Sequence, residues 1–317
     1  MTPRLALLAA LALASSALAL AVAVPPPPMA PTVQIAPGVR MPRINLGTCC
    51  GSKVSNAFPA WWAAGGKGVD TAYDYGKEVP GGKETDLAKA IAKVGAAKAN
   101  GLFITTKIRA GLDVLHGGKL CIGLDAAYAL KAVKADLGEL NVKQVDLVLL
   151  HAPCDRDATN AKLWQGMEQA LKLNLTRAIG VSNYPKKQLV ALLATATTKP
   201  AVQQCQMSMA QQEDEMLKLC AAQGIVFEAY AAMRACPFSN PKVQAIAKKH
   251  GVSVSQVCLR WVLQKGAVFA VGLGTNVSQM PEYSKEDLDL YGFALSAVEM
   301  TVLDGTGKEI GSCAQGY

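Results

Sequence analysis

From Thr32 onward the chain alternates two patterns of apolar and polar positions. Short β-branched or apolar runs end in polar residues, and longer stretches with apolar residues at helical spacing follow them. The short runs predict strands over 43–46, 68–70, 102–106, 145–150, 177–179, 202–204, 226–228 and 268–271. The longer stretches predict helices over 83–94, 125–137, 161–173, 186–193, 212–222, 242–249, 255–264, 281–290 and 296–303. In the first of these, Leu87, Ala90, Ile91 and Val94 share one face. Ahead of the alternation, residues 32–35 and 39–41 flank Ala36-Pro37-Gly38, which reads as a β-hairpin.

Eight strands alternating with helices predict an α/β chain folded as one (β/α)8 TIM barrel with an N-terminal β-hairpin. A doubly wound sheet would want a Gly-x-Gly-x-x-Gly turn after its first strand, and none is there. With no internal repeat and no mid-chain linker, residues 32–317 read as a single domain. Residues 1–31 read differently. Leu5 to Val24 is almost unbroken apolar sequence after Arg4, with Ala17-Leu18-Ala19 and Ala21-Val22-Ala23 inside it and Pro25 to Pro28 behind it. That is the plan of a secretory signal peptide. The run is also long enough for an uncleaved membrane anchor. A plastid address and a plain Ala-rich extension in a cytoplasmic protein are the remaining alternatives.

Composition narrows the classes. Of 317 residues, 51% are hydrophobic and 18% charged, which excludes a disordered chain. Gly numbers 28 and no heptad runs through, which excludes collagen and coiled coil. The net charge of +8 suits a phosphorylated cofactor. No Lys/Arg stripe with interleaved aromatics accompanies it, so nucleic acid is not an expected partner. Nine cysteines contain no C-x-x-C. Cys49 and Cys50 are adjacent and not expected to bond. The other seven stand mostly in apolar context and read as buried free thiols, the pattern of a reducing compartment. The only histidines, His116, His151 and His250, have no ligand spacing, so no metal site is expected.

In such a barrel the chemistry lies at the C-terminal ends of the strands. The second strand closes on Asp70, in Asp70-Thr71-Ala72-Tyr73-Asp74-Tyr75; the third closes before Lys107; the fourth closes before His151. Each residue alone also suits a solvated strand end, a cap or the core. Together they suit proton donation to a carbonyl. A tyrosine's pKa of ~10 is too high for easy donation near neutrality, and an adjacent ammonium is expected to lower it. A carboxylate offsets burial of the lysine, and a histidine in reach orients the substrate oxygen or shares the proton.

The chain resembles the aldo-keto reductases from Val33 to Gly305. The resemblance is carried by Arg177-Ala178-Ile179-Gly180-Val181-Ser182-Asn183-Tyr184, by Gly68-Val69-Asp70-Thr71-Ala72 with Tyr75, by Leu259-Arg260-Trp261, and by Met41-Pro42 and Leu46-Gly47-Thr48. It implies a tetrad of Asp70, Tyr75, Lys107 and His151, with Tyr75 as acid/base. It implies that Ser182, Asn183 and Gln204 hold a nicotinamide carboxamide and that Tyr230 stacks on the ring. The implied activity is reduction of aldehydes or ketones to alcohols by NADP(H), with NAD(H) as the alternative. The expected partner is a small carbonyl compound, the expected state a monomer, and membrane association is expected only through residues 5–24.

Departures from the family concentrate after the eighth strand. There the family has Pro-Lys-Ser and then an Arg on the next helix, which clamp the 2′-phosphate of NADP. Here the segment reads Val271-Gly272-Leu273-Gly274-Thr275-Asn276-Val277, and Tyr283 stands where the Arg aligns. Gly272, Gly274, Thr275 and Asn276 are the remaining candidates for phosphate, or a plain turn. Cys49 replaces a Trp common after Gly-Thr, and Ala152 follows the histidine. The span between Lys107 and His151 is long, with His116-Gly117-Gly118-Lys119 in it, and the tail after Asp304 is short. Some proteins of this resemblance are cofactor-binding auxiliary subunits of membrane channels with little turnover, which is the alternative function. Tyr73-x-x-x-Lys77 fits a short-chain dehydrogenase, but without the glycine-rich turn that reading fails.

Overall fold

The computed structural model describes residues 29–75, 82–97, 100–110, 121–234, 236–306 and 313. Strands β1 (Thr32–Ala36) and β2 (Val39–Pro42) form the expected antiparallel hairpin, turning at Gly38 with φ +70°. Eight parallel strands then close a barrel: β3 (Ile44–Gly47), β4 (Gly68–Asp70), β5 (Phe103–Ile108), β6 (Val145–Leu150), β7 (Thr176–Ser182), β8 (Val202–Gln206), β9 (Val226–Tyr230) and β10 (Val268–Val271), with β10 pairing back onto β3. Strands β5, β7, β8 and β9 extend further at their C-terminal ends than the apolar pattern predicts. The ladder continues through Lys107, Ser182, Gln206 and Tyr230, polar residues that face the barrel axis and so end the apolar pattern early.

Successive side chains in a strand alternate faces, and this sorts the core into two shells. The inner shell holds Phe103, Leu147, Leu149, Ala178, Val202 and Val268, plugged from below by Ile35, Val39 and Met41 of the hairpin. The outer shell holds Ile104, Ile108, Val148, Leu150, Ile179, Val181, Phe227 and Phe269, packed against the helices. Counting upward in twos from the inner apolar layer reaches Lys107 on β5, Ser182 on β7, Gln204 on β8, and Glu228 and Tyr230 on β9.

The helices are α1 (Val54–Ala63), α2 (Gly82–Val94), α3 (Ala126–Glu139), α4 (Asp157–Lys172), α5 (Lys186–Leu193), α6 (Asp214–Gln223), α7 (Pro241–His250), α8 (Val254–Gln264), α9 (Met280–Leu288) and α10 (Ala297–Asp304). Helix α1 is absent from the sequence reading. It carries Pro59 inside it and has no side-chain cap, so local signals argue against it. Burial of Phe58 and Trp61 and the Trp61 Nε1–H bond to the Gly68 carbonyl (3.0 Å) hold it nonetheless. Capping boxes begin α8 (Ser253 with Gln256) and α10 (Ser296 with Glu299).

The cysteines overturn the free-thiol expectation. The structure pairs Cys121 with Cys154, Cys205 with Cys313 and Cys236 with Cys258, and bonds the neighbours Cys49 and Cys50. Only Cys220 stays a thiol, buried, its pKa pushed up to about 12 by burial. The three long-range pairs have Cα separations of 5.8, 5.4 and 6.2 Å, inside the range of about 4.4–6.8 Å usual for disulfides. Apolar context had suggested thiols, but a half-cystine is buried in the same surroundings. Only the folded topology brings residue 205 to residue 313.

Residues 5–24, His116 and the stretch 116–119 lie outside the described residues. Among the described residues no helix is long and apolar enough to cross a membrane.

Helices α3 and α4 meet at Gly166, where a Cβ would sit 2.3 Å from the Ala126 carbonyl oxygen and 2.7 Å from the Ala129 Cβ. Gly166→Ala therefore costs about 1–3 kcal/mol by overpacking and lowers the thermal midpoint. Gly138→Ala, where a Cβ meets nothing within 4 Å, leaves the midpoint unchanged or raises it slightly. Equal midpoints for the two variants would contradict the packing argument.

Candidate active site

Lys107 is completely buried, and its ammonium has three hydrogens. Nζ lies 2.5 Å from Asp70 Oδ1, 3.0 Å from the Thr71 carbonyl oxygen and 3.2 Å from the Tyr75 hydroxyl. Each hydrogen thus has one acceptor. Because the tyrosine oxygen accepts from Lys107, its own hydrogen is not spent on the ammonium.

His151 Nδ1 lies 3.0 Å from Asp74 Oδ1, and its ring meets the Tyr75 ring edge-on at 5.5 Å. Burial works against the Asp74 charge, but the hydrogen bond and charge of His151, with Lys107 behind, hold its carboxyl below the ordinary range. Burial likewise lowers the His151 pKa; Asp74 opposes this and Lys107 adds to it. A neutral imidazole donating from Nδ1 to a carboxylate carries no hydrogen on Nε2. In that state, of the two side chains, only Tyr75 carries a hydrogen besides the one His151 gives to Asp74.

The expected lowering of the Tyr75 pKa does not appear. Enclosure of the hydroxyl first, then the charges of Asp70 and Asp74, push it well above the ordinary tyrosine value. Asp70 offsets Lys107 before its field reaches the phenol. The hydroxyl therefore keeps its proton at neutral pH, and Lys107 can act on it once that proton leaves.

A second layer lies beside this cluster. Gln204 Nε2 donates to Asp70 Oδ2 and to Glu228 Oε2, both at 2.8 Å. Asn45 Nδ2 donates to Glu228 Oε1 at 3.1 Å. With both amide hydrogens spent, Gln204 offers only Oε1, an acceptor. Ser182 Oγ accepts from Asn183 Nδ2 at 3.0 Å and keeps its own hydrogen. Asn183, in the left-handed region at φ +60°, also donates to the His151 carbonyl (2.9 Å) and accepts from the Tyr230 hydroxyl (2.8 Å). Its amide is a strut between β6, β7 and β9 rather than a free contact.

The structure thus joins Asp70, Tyr75, Lys107 and Gln204 by direct bonds, and Ser182, Asn183 and Tyr230 by others. Gly274, Thr275 and Asn276 stand apart, exposed on the loop after β10. Asn276 is bound into a surface network with Ser278 and Gln279, and Tyr283 completes it. Three partners were missed by the sequence reading: Asn45, Asp74 and Glu228. Glu228 carried a usable signal, since it shares the parity of Tyr230 and so must face inward.

The family model for the aldo/keto reductase family matches residues 52–305. An aldo-keto reductase of Mycolicibacterium vanbaalenii is 33% identical over 278 residues, covering 87% of this chain and 91% of that protein. Morphine 6-dehydrogenase of Pseudomonas putida is 31% identical over 302 residues, covering 89% and 94%. Among solved structures, a Bombyx mori aldo-keto reductase in complex with NADP superposes with a TM-score of 0.73 at 25% identity, covering 88% of this chain and 93% of that one.

Burial first, then the negative charge of Asp70, push the Glu228 carboxyl up to about 8. Unfolded, it would lose its proton near 4.5. Between those values the folded chain binds the extra proton, so this group makes stability fall as pH rises through the window. Glu228→Gln flattens that slope. Urea-unfolding midpoints between pH 5 and roughly 8 measure it, and an undiminished slope would refute the assignment.

Proposed function

The chain belongs to the aldo/keto reductase family, and from that premise we propose that it reduces aldehydes or ketones to alcohols, with Tyr75 as general acid and NADPH as the favoured hydride donor. The observation that carries the reading is the division of labour at one hydroxyl. Lys107 donates to the Tyr75 oxygen, and burial lowers the His151 pKa, so a neutral His151 donating from Nδ1 to Asp74 would have no Nε2 proton to offer. Tyr75 alone holds a hydrogen to give to a carbonyl oxygen. When it leaves, the buried ammonium 3.2 Å away stabilises the phenolate.

The chain's own groups fit a nicotinamide. A primary carboxamide needs one acceptor and one donor, and Gln204 Oε1 and the Ser182 hydroxyl supply that pair. Tyr230, whose hydroxyl donates to Asn183 Oδ1 at 2.8 Å, would cover the ring. When bound, the reduced cofactor supplies the hydride. Gly274, Thr275 and Asn276 would face its phosphates with backbone and side-chain donors but no cation. The NADP in the Bombyx mori structure supports NADP(H) for this chain; the missing cation at Tyr283 keeps NAD(H) within reach.

For location, we propose that residues 1–31 direct a barrel of residues 32–317 into the secretory pathway or an organelle. Pairing of eight of the nine cysteines supports an oxidising compartment over the cytoplasm. An intact mass of the native protein equal to that of the uncut chain would sink a cleaved leader.

Purified protein is expected to oxidise NADPH in the presence of an aromatic aldehyde. Tyr75→Phe should lower kcat by about 10²–10⁴-fold while leaving NADPH affinity intact. Cofactor binding without turnover across several aldehydes would transfer the reading to an auxiliary binding subunit. Tyr283→Arg adds a charge-assisted bond of about 1.5–3 kcal/mol to a 2′-phosphate. It should lower KM for NADPH tenfold or more, in order of magnitude, and leave KM for NADH unchanged. Equal effects on both cofactors would place the phosphate elsewhere.

A further inference from the structure

The four disulfides differ in access and in what they hold. Cys154, Cys205, Cys236, Cys258 and Cys313 are buried, and Cys121 is half-buried. Cys50 is exposed and Cys49 half-buried. A thiolate exchanges with a disulfide only where it can reach a sulfur, so access favours the Cys49–Cys50 pair. The other three bonds close spans of 33, 108 and 22 residues, while Cys49–Cys50 has a separation of 1. Stabilisation by a disulfide grows with the span it closes, so opening this pair leaves the barrel folded.

The pair also lies against the site. It follows β3, whose Gly47 pairs with Asp70, and the Thr48 N–H donates to the Asp70 carbonyl at 3.0 Å. On its other side Gly51 faces Thr275 in the loop after β10, with the Thr275 Cγ2 3.7 Å from where a Cβ would stand. The Ser52 N–H bonds the Cys49 carbonyl at 3.2 Å and closes the turn. Cys50 sits at φ +60°, a region that non-glycine residues seldom occupy. With the sulfur bond open, Cys50 is free to leave that conformation. Loop 48–52 stands between the Asp70 backbone and the 272–276 loop, so opening the bond would remove one tie on a segment that touches both.

We propose that Cys49–Cys50 is a thiol–disulfide exchange site on the rim of the active site, taking two electrons from a dithiol reductant and changing cofactor or substrate affinity as it opens. A thiolate of the reductant attacks the exposed Cys50 sulfur, forming a mixed disulfide and releasing Cys49 as a thiolate that takes up a proton. The reductant's second thiolate then attacks its own sulfur in the mixed disulfide. Cys50 leaves and is protonated, and the reductant departs as a disulfide. The effect on turnover rests on the carbonyl-reductase reading; the exchange chemistry does not.

The test titrates the full-length oxidised protein with dithiothreitol, blocks with iodoacetamide and maps the label by peptide mass. The expected first product carries label on Cys49 and Cys50 only, with an unchanged thermal midpoint. At that point the NADPH Kd, read by fluorescence, or the aldehyde KM changes threefold or more, in order of magnitude. Reoxidation with diamide reverses the change. The double variant Cys49→Ser/Cys50→Ser shows neither labelling nor response to the reductant. Earlier labelling of any other pair, or selective opening with Kd and KM both unmoved, overturns the proposal. A Kd shift in a protein that turns over no aldehyde supports the exchange site and overturns the reductase reading instead.

Discussion

A lysine with no exposed surface, at the centre of a barrel, sets the terms for everything around it. Taking an ammonium and a carboxylate out of water costs several kcal/mol per ion, and the pair recovers this only if its remaining hydrogens and lone pairs are used. Lys107 uses all three hydrogens on Asp70, Thr71 and Tyr75. The second oxygen of Asp70 is met by Gln204, the second hydrogen of Gln204 by Glu228, and the second oxygen of Glu228 by Asn45. Asn45 fits because Gly68 has no side chain: a Cβ there would lie 1.8 Å from Asn45 Oδ1. One buried charge thus fixes residues on β3, β4, β5, β8 and β9. The same constraint holds the Tyr75 oxygen against the ammonium.

Much of this was legible in the sequence because two periodicities separate cleanly. Apolar runs with helical stretches between them located all eight barrel strands. The polar residues that close those runs gave Asp70, Tyr75, Lys107 and His151. What stayed hidden depends on contacts rather than pattern. Helix α1 forms around Pro59 because Trp61 and Phe58 are buried, which no local rule can see. Asp74 stands next to Tyr75 in the chain, but only the fold turns it onto His151. The Tyr75 pKa moves opposite to the expected direction because Asp70, brought in to hold Lys107, also offsets it. The disulfides show the same limit, since burial looks alike for a thiol and a half-cystine.

The rim and the layer beneath it obey different physics. In the lower layer Lys107, Asp70, Gln204, Glu228 and Asn45 are linked in one chain of buried hydrogen bonds, so a single substitution in it strands a donor or acceptor at about 1–3 kcal/mol. At the rim, water can replace a lost partner, and substitutions cost about 0.5 kcal/mol or less. Cys49, Tyr283 and the loop 272–276 all face that boundary. Chemistry that needs a fixed proton and a fixed charge belongs in the first environment. The second suits discrimination among ligands, since side chains there can change without unfolding the barrel. On the exchange proposal, the pair at residues 49 and 50 lies on the second side of that line, one residue from the Thr48 bond to Asp70, so its opening would act on the rim before it acts on the buried layer.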